Sequence, residues 1–301
     1  MFAKLFAETG LSLDRLRVLV EVGAAGGIVQ AAAGDPIKQS QYSRQIKELE
    51  DFFQTKLVER HGKGIRLTPS GKELARISRF FLLGLSNFHR GRRAEEQTFR
   101  IGASATFIEC FLLPTLAKSP AGAQPRHVVE TVDDTDIERR LHDLTLDFGI
   151  ITAAAISRPL QMKALATSRL SLCVPKAVCR TEAGAAKALK SKRLPIAWPV
   201  PELSLAALDC LHGCEPRLIC GSFLEAQTAL HLEALATVLP DFLAPDLAAG
   251  RFLRLRLPAS HVGEIVYRLA WNPRLLRLNP HASRRRDFLI DSLSAQVPGR
   301  R

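Results

Sequence analysis

The sequence predicts a winged helix-turn-helix domain, then a long helix, and then an α/β domain of two subdomains. Three observations lead to this fold class. Near the N-terminus, two helical patterns meet at a tight turn and are followed by a short basic hairpin. Next comes a heptad-like stripe of apolar residues, which is typical of a helix that contacts a second helix. From residue 98 onward, strand patterns alternate with helical patterns, which indicates an α/β sheet domain.

The first two helices are predicted from capping residues and apolar spacing. Ser12 can cap a helix, and the apolar positions that follow it lie on one helical face. These positions are Leu13, Leu16, Leu19 and Val20. A second, short helix is indicated by Ile28 and Ala31-Ala32, because small side chains permit close helix–helix approach. We expect this helix to end at Asp35-Pro36, because proline keeps the residue before it out of the helical region.

The segment from Gln39 to Phe53 predicts an amphipathic helix. Its apolar residues recur at intervals of three and four, which places them on one face. They are Tyr42, Ile46, Leu49 and Phe53. The opposite face carries amide, hydroxyl and cationic groups that suit base edges and phosphates in a major groove. These groups belong to Gln39, Ser43, Arg44 and Lys47. Taken alone, this face is equally typical of an ordinary solvated helix.

A hairpin is predicted after this helix, with strands at residues 57–59 and 65–67. Its loop, residues 60–64, contains two glycines that suit turn conformations, and its cations Arg60 and Lys63 can contact phosphates. Two helices joined by a short turn and followed by such a hairpin form a winged helix-turn-helix.

Residues 69–93 are predicted to form one long helix, because Thr68 can cap it and Pro69 fits its first turn. Its apolar stripe comprises Leu74, Ile77, Phe81, Leu85 and Phe88. An exposed stripe of this size is a liability in a monomer, so we expect a homodimer through this helix. Packing of the stripe against its own domain is the alternative. Residues 94–97 are polar and are predicted to be a hinge.

The remainder of the chain predicts two α/β subdomains joined by two crossovers, with a mostly parallel sheet. In the first subdomain, strands are expected at residues 98–102, 126–132 and 146–151, with helices at 107–116 and 136–144. In the second, strands are expected at residues 171–174, 194–198, 217–220 and 251–257. The chain then returns to the first subdomain through a strand at 266–271 and ends in a helix at 283–294.

At these spacings the chain resembles the LysR-type transcriptional regulators. The matching residues of the helix-turn-helix are Ala31, Ala32, Gln39, Ser43, Ile46, Leu49 and Glu50. The matching residues of the wing are Leu57 to Arg60, Gly62 to Gly64, and Leu67 to Gly71. The resemblance is specific from Leu13 to about Phe88 and weaker over the remaining chain.

The resemblance implies a domain organisation and a function. It implies a winged helix-turn-helix domain (1–68), a linker dimerisation helix (69–93), a hinge (94–97) and an effector-binding domain (98–301) with a periplasmic-binding-protein-like fold. Subdomain I would comprise about 98–166 and 270–301, and subdomain II about 167–269. Such a protein is a sequence-specific regulator that binds double-stranded DNA, is modulated by a small molecule, and assembles into dimers and then tetramers.

Several residues depart from the family pattern. Lys38 stands where the family has a small capping serine, and Ser40 stands where it has a proline. Lysine cannot accept hydrogen bonds from free helix N–H groups, so the helix must be capped otherwise, for example by Asp35, or must start differently. The segment 233–240 also lacks the two glycines of the family motif. An effector-binding or assembly protein of the same fold with a degenerate DNA-reading helix is therefore the alternative function.

Two sets of site residues follow. The expected DNA contacts are Lys38, Gln39, Ser40, Ser43, Arg44, Lys47, Arg60, Lys63 and Arg66. Ligands of parallel sheets bind at the carboxyl ends of strands, often at helix N-termini. On that rule the expected effector contacts are Ser104, Thr106, Asp134, Thr152, Trp198 and Ser222. Asp133 and Asp134 would repel a carboxylate, which favours a neutral or amine-bearing effector, unless these residues only cap the next helix.

Composition favours an anionic partner. The formal net charge is +12 and the sequence pI is about 9.8. Residues 38–93 contain thirteen Lys and Arg against five Asp and Glu. The N-terminus lacks a secretory apolar run and no stretch approaches the length of a membrane span, so we expect a soluble cytoplasmic protein that has no membrane partner.

No cofactor, metal or catalytic activity is expected. The cysteines at 210 and 214 flank a histidine, but their spacing does not match a zinc site, and cysteines that pack as small apolar residues are favoured over a thiol switch. The sequence contains no phosphate-binding loop and no nucleophile elbow. Asp133, Asp134 and His142 could form an acid–base group, but no motif fixes their geometry, so an enzyme is disfavoured.

Overall fold

A computed structural model of the protein describes most of the chain. The described residues are 10–61, 64–91, 98–118, 125–200, 202–203, 211, 214–232, 234–245, 250–256 and 263–296. The chain divides into two compact units, Met1–Glu95 and Glu96–Arg301. The predicted hinge at 94–97 and the wing residue Lys63 lie outside the described residues.

The first unit is a helix-turn-helix with a two-stranded wing. Its helices are α1 (Leu13–Ala25), α2 (Ile28–Ala31), α3 (Pro36–Phe53) and α4 (Pro69–Gly91), and its strands are β1 (Val58–His61) and β2 (Gly64–Leu67). One apolar core joins them, in which Leu19, Leu49 and Leu57 are almost fully buried. The predicted Ser12 cap is confirmed, since its hydroxyl accepts from the backbone N–H of Arg15.

Helix α3 begins one turn earlier than the apolar spacing predicts. Asp35 is its N-cap, and one carboxylate oxygen accepts from the backbone N–H groups of Ile37 (2.9 Å) and Lys38 (3.3 Å). Pro36 occupies the first turn, where a missing N–H costs nothing. The expectation that Asp35-Pro36 ends the preceding helix was wrong, because α2 ends at Ala31. The turn is instead made by Ala33 and Gly34, which both have positive φ.

The wing is fastened to α3 by a buried carboxylate. Strands β1 and β2 are antiparallel, with Val58 opposite Leu67. Glu50 is only 8% exposed, and its Oε1 accepts from the backbone N–H groups of Leu57 (2.8 Å) and Val58 (3.2 Å). Gly71, at the start of α4, lies against the same segment, since a Cβ there would stand 2.0 Å from the carbonyl oxygen of Leu57.

The second unit is built on a nine-stranded mixed sheet. The strands are β3 (Thr98–Ala103), β4 (Arg126–Thr131), β5 (Phe148–Ile151), β6 (Gln161–Pro175), β7 (Ile196–Pro199), β8 (Pro216–Cys220), β9 (Ala236–Pro240), β10 (Phe252–Arg256) and β11 (Glu264–Trp271). Their order in the sheet is β4-β3-β5-β11-β6-β9-β7-β8, and β10 pairs with β6. The antiparallel pair β6 and β11 lies between two groups of strands and supplies the two crossovers.

Helices connect these strands or follow the last of them. They are α5 (Ala105–Phe107), α6 (Leu113–Ala117), α7 (Asp134–His142), α8 (Glu182–Lys190), α9 (Phe223–His231), α10 (Pro273–Leu278) and α11 (Pro280–Gln296). A π-helical turn, Ile108–Leu112, joins α5 to α6. None of the described helices is long and apolar enough to cross a membrane.

The strand predictions were incomplete in the second subdomain. The predicted strand at 171–174 is the end of β6, which starts ten residues earlier, at Gln161. Its alternation is hard to read from the sequence, because burial is irregular before residue 170 and continuous after it. The segment 233–240, which lacks the family glycines, contains the fully buried strand β9.

Candidate functional site

The outer face of α3 presents the predicted polar groups to solvent. Exposed residues on it are Lys38, Ser40, Ser43, Arg44 and Lys47, while Gln39 is half-buried. The Arg44 side chain is 75% exposed, and its Nε lies 3.9 Å from Glu48, too far for a strong hydrogen bond. Glu48 is held on its other side by Arg15 of α1. The Arg44 guanidinium is therefore open to a polar or anionic partner.

The wing contributes further cations. Arg60 and Arg66 are both exposed on the hairpin. Arg66 donates to Glu59 at 2.8 Å, so its charge is partly balanced within the wing. On its opposite face, α3 is attached to α1 by a hydrogen bond, in which the Tyr42 hydroxyl donates to Glu21 at 2.7 Å.

The apolar stripe of α4 is largely exposed in the single chain. Ile77, Phe81 and Leu85 are 53%, 48% and 43% exposed, and Phe88 is 70% exposed. Leu74 differs from them, because it packs against the core of the first unit. Three large apolar side chains at successive four-residue intervals form a continuous ridge on one face of the helix.

The second unit contains a cavity of about 760 Å³ at the carboxyl ends of β3, β4 and β5. Ser104, Asp134 and Thr152 line it, as predicted from the position of strand ends. Gly221 and Phe223 at the start of α9 line the opposite side, and Tyr267 of β11 lies between the two sides.

Three predicted effector contacts take other roles. Trp198 does not line the cavity; it is 1% exposed in the core, and its indole N–H donates to the carbonyl of Leu203. Ser222 is also buried, and its hydroxyl caps α9 by accepting from the Glu225 N–H. Thr106 is fully buried beside the cavity and is already hydrogen-bonded. The rule that ligands bind at the carboxyl ends of strands predicted where these residues lie in the fold, but not the direction in which their side chains point.

Two of the carboxylates that line the cavity, Asp134 and Glu202, each accept hydrogen bonds from other segments of the unit. One Asp134 oxygen accepts from Thr152 N (2.8 Å), Thr152 Oγ1 (2.8 Å) and Ala153 N (2.9 Å). Asp133 caps α7 through the N–H of Asp136. The capping alternative thus holds for Asp133 but not for Asp134, which instead fastens the end of β5.

The second carboxylate, Glu202, was missed by the sequence analysis. It accepts from Thr106 N (3.0 Å), Thr106 Oγ1 (2.6 Å) and Phe223 N (2.7 Å). Glu202 follows β7, so the rule that selected Ser222 after β8 could also have selected it. Tyr267 was missed as well, although it falls inside a predicted strand.

The cavity is acidic. Asp133, Asp134, Asp136 and Glu202 line it, and the cation in its described lining, Arg139, is paired with Asp136 and Asp143. Burial, and then the charge of Glu202, raises the pKa of the Tyr267 hydroxyl far above its usual value. Tyr267 is 2% exposed, and its hydroxyl has no hydrogen-bond partner among the described residues.

The remaining candidate groups do not assemble into a site. His142 hydrogen-bonds to Ser157 at 2.7 Å and is half-buried. Five cysteines are described, and all are free thiols. Burial raises the pKa of Cys173 to about 12, which keeps it protonated and unreactive. Cys210 lies outside the described residues, and no group of three metal-ligating side chains occurs among those that are described.

Comparison with family models gives two matches. Residues 13–72 match the model of the bacterial regulatory helix-turn-helix protein of the lysR family, and residues 92–294 match the model of the LysR substrate binding domain. Together these matches confirm the predicted fold class of a helix-turn-helix domain followed by a two-subdomain effector domain.

Curated relatives and solved structures agree. The HTH-type transcriptional regulator HdfR of Shigella boydii is 27% identical over 153 residues, which are 48% of this chain and 54% of that protein. The chain thus spans about half the length of the curated relatives it matches. A full-length OxyR variant from Pseudomonas aeruginosa is 20% identical with a TM-score of 0.65, covering 95% of this chain and 96% of that one. ArgP from Mycobacterium tuberculosis is 18% identical with a TM-score of 0.69, covering 95% and 98%. These structures show the shared fold.

Proposed function

The chain belongs to the LysR family of bacterial helix-turn-helix regulators, and we propose that it binds specific sites on double-stranded DNA under the control of a small molecule. The exposed polar face of α3 carries this proposal. Arg44 stands there with its guanidinium open, and arginine makes bidentate hydrogen bonds to guanine in a major groove. Gln39 and Ser43 would add base contacts, and Lys38, Ser40 and Lys47 phosphate contacts.

The cap at Asp35 supports this proposal over a degenerate DNA-reading helix. Lys38 and Ser40 replace the residues that usually start the recognition helix in the family, but Asp35 and Pro36 start it one turn earlier. The helix therefore has a satisfied N-terminus despite the substitutions. Wing residues Arg60, Lys63 and Arg66 would contact phosphates of the flanking backbone.

We propose that α4 pairs two subunits through Ile77, Phe81 and Leu85, with effector-domain contacts completing a tetramer. The exposed ridge formed by these three residues supports the pairing. We assign the limits 1–68, 69–93, 94–97 and 98–301 to the DNA-binding domain, linker helix, hinge and effector domain. A regulator of this kind acts in the cytoplasm, where the DNA is, and carries out no catalysis.

The proposed effector is a small polar molecule with an amine or a neutral head group. The acidic lining of the cavity, with Asp134 and Glu202 on opposite sides, supports this class over carboxylates. Ser104, Asp134 and Thr152 would define one side of the site. A ligand acts on DNA binding only if it binds the DNA-bound and free conformations with different affinities.

The decisive test of DNA binding compares Arg44→Ala with Arg17→Ala in a footprint on the protein's own upstream region. Both variants remove one exposed arginine, but Arg17 lies on α1 and pairs with Glu21. We expect Arg44→Ala to lose about 1–3 kcal/mol of specific binding and Arg17→Ala to bind as wild type does. An unchanged footprint with Arg44→Ala would contradict the assignment of α3 to the major groove.

A further inference from the structure

Glu202 forms a bridge inside the cavity that a bound ligand would otherwise form. It accepts two hydrogen bonds from Thr106 at the start of α5 and one from the N–H of Phe223 at the start of α9. Thr106 belongs to subdomain I, whereas Phe223 and Glu202 itself belong to subdomain II. The carboxylate thus connects the two halves of the effector domain across their cleft.

The three donors are arranged to receive an anion. Phe223 N lies in the first turn of a nine-residue helix, where it has no acceptor within the helix and the helix dipole favours negative charge. Thr106 is fully buried, so its hydroxyl loses its partner if no carboxylate is present. Among the described residues, no Lys or Arg forms an ion pair with Glu202, so these neutral donors alone hold its charge.

A second observation points to a ligand at the same place. Tyr267 lines the cavity, and its hydroxyl is buried and has no hydrogen-bond partner among the described residues. A buried hydroxyl in that state costs free energy unless a bound molecule or water satisfies it. The nearby charges of Glu202 and Asp134 both act on this hydroxyl.

We propose that Thr106 and Phe223 form a carboxylate-binding site that the chain fills with its own Glu202, as a built-in ligand that holds the cleft closed. A free carboxylate of two to four carbons is then accepted only when Glu202 is withdrawn. This inference deepens the proposed effector site and rests on it, because it explains why the cavity as it stands selects against anions. Tethering gives Glu202 a high effective concentration, so millimolar free carboxylate does not displace it.

Chemical rescue tests the site directly. In Glu202→Ala the full-length protein loses the carboxylate but keeps Thr106 and Phe223. We expect its melting temperature to fall, and about 100 mM propionate to raise it again by about 2–4 °C in a saturable manner. Propionamide and sodium chloride at matched concentration should give no such rise. Wild type should not respond to propionate.

Glu138→Ala is the matched control variant. Glu138 accepts from both the N–H (2.8 Å) and the hydroxyl of Ser157, so it has the same chemistry as Glu202 at Thr106. This pair lies on the exposed surface, where water replaces the lost carboxylate. We therefore expect no propionate-dependent rise in Glu138→Ala.

Three outcomes overturn the inference: no response of Glu202→Ala to propionate, an equal response of wild type, or an equal response of Glu138→Ala. If Glu202→Ala does not fold, Glu202→Ser replaces it, since the short serine side chain also leaves the space of the carboxylate open to propionate. A Ser variant that ignores propionate also refutes the inference. The effect of Arg44→Ala on DNA binding is measured in a separate experiment. A negative result with propionate therefore contradicts the role of Glu202 but not the assignment of the protein as a regulator.

Discussion

Replacing Glu50 should release the wing from the recognition helix without disturbing the helix itself. Oxygen Oε1 of Glu50 accepts from both Leu57 N and Val58 N, while Oε2 accepts from the Lys56 ammonium at 3.1 Å. Burial on its own would raise the pKa of Glu50, but these hydrogen bonds and the Lys56 charge bring it below its usual value. The carboxylate is therefore ionised and fully bonded at neutral pH.

Two substitutions separate the hydrogen bonds from the charge. Glu50→Ala leaves two backbone N–H groups without their acceptor, and each lost hydrogen bond costs about 1–3 kcal/mol. Glu50→Gln can keep an oxygen at Oε1 and loses only the contact with Lys56. The Lys56 side chain is 81% exposed, so that loss costs about 0–1 kcal/mol.

Amide hydrogen exchange measures the difference at the two residues concerned. A loss of 1–3 kcal/mol per amide corresponds to exchange that is about 5- to 150-fold faster at Leu57 and Val58 in Glu50→Ala. Exchange in Glu50→Gln should stay within about fivefold of wild type. The apolar face of α3, reported by Leu49, should be unaffected in both variants.

Equal exchange at Leu57 and Val58 in Glu50→Ala and wild type would refute this reasoning. It would mean that the pairing of β1 with β2, rather than the carboxylate, determines the stability of this segment. A rise in Glu50→Gln as large as that in Glu50→Ala would show instead that the Lys56 charge is the dominant contribution.

Three further perturbations test other parts of the molecule. Gly71→Ala should destabilise the first unit by about 1–3 kcal/mol or more, because its Cβ would lie 2.0 Å from Leu57 O. Urea unfolding followed by far-UV circular dichroism measures this loss. Gly26→Ala is the control for backbone strain, because Gly26 has a positive φ but no atom close to the position of the added Cβ. Phe81→Glu should convert the proposed dimer to a monomer in light scattering at micromolar concentration, and a dimer that persists would exclude the ridge on α4 as the subunit contact. His127 has its pKa lowered to about 4 by burial and then by the charge of Arg285, so it stays neutral when folded while the unfolded chain takes up a proton. Stability should therefore fall between about pH 6.5 and 4, and the fall in melting temperature should be smaller in His127→Phe; equal falls would contradict this assignment.

The first unit was largely predictable, because its signals are local. The Ser12 cap and the apolar spacing around Ile46 and Leu49 each act within a few residues. Short-range capping and side-chain periodicity determine such elements almost completely. The start of α3 was left open between a cap at Asp35 and another start, because Asp35-Pro36 can end one helix or begin the next, and only the turn at Ala33 and Gly34 decides between them.

The cavity was only partly predictable, because its chemistry depends on contacts between distant residues. The rule that ligands bind at strand ends selected Ser104, Asp134 and Thr152, which do line the cavity, since the carboxyl ends of neighbouring strands meet at one edge. The same rule also selected Trp198, which is buried in the core. Glu202 lies 96 residues from Thr106 in the chain, and their hydrogen bonds leave no trace in local periodicity. The sequence by itself determined which side chains could be polar at the cleft, and the tertiary structure alone decided which of them meet.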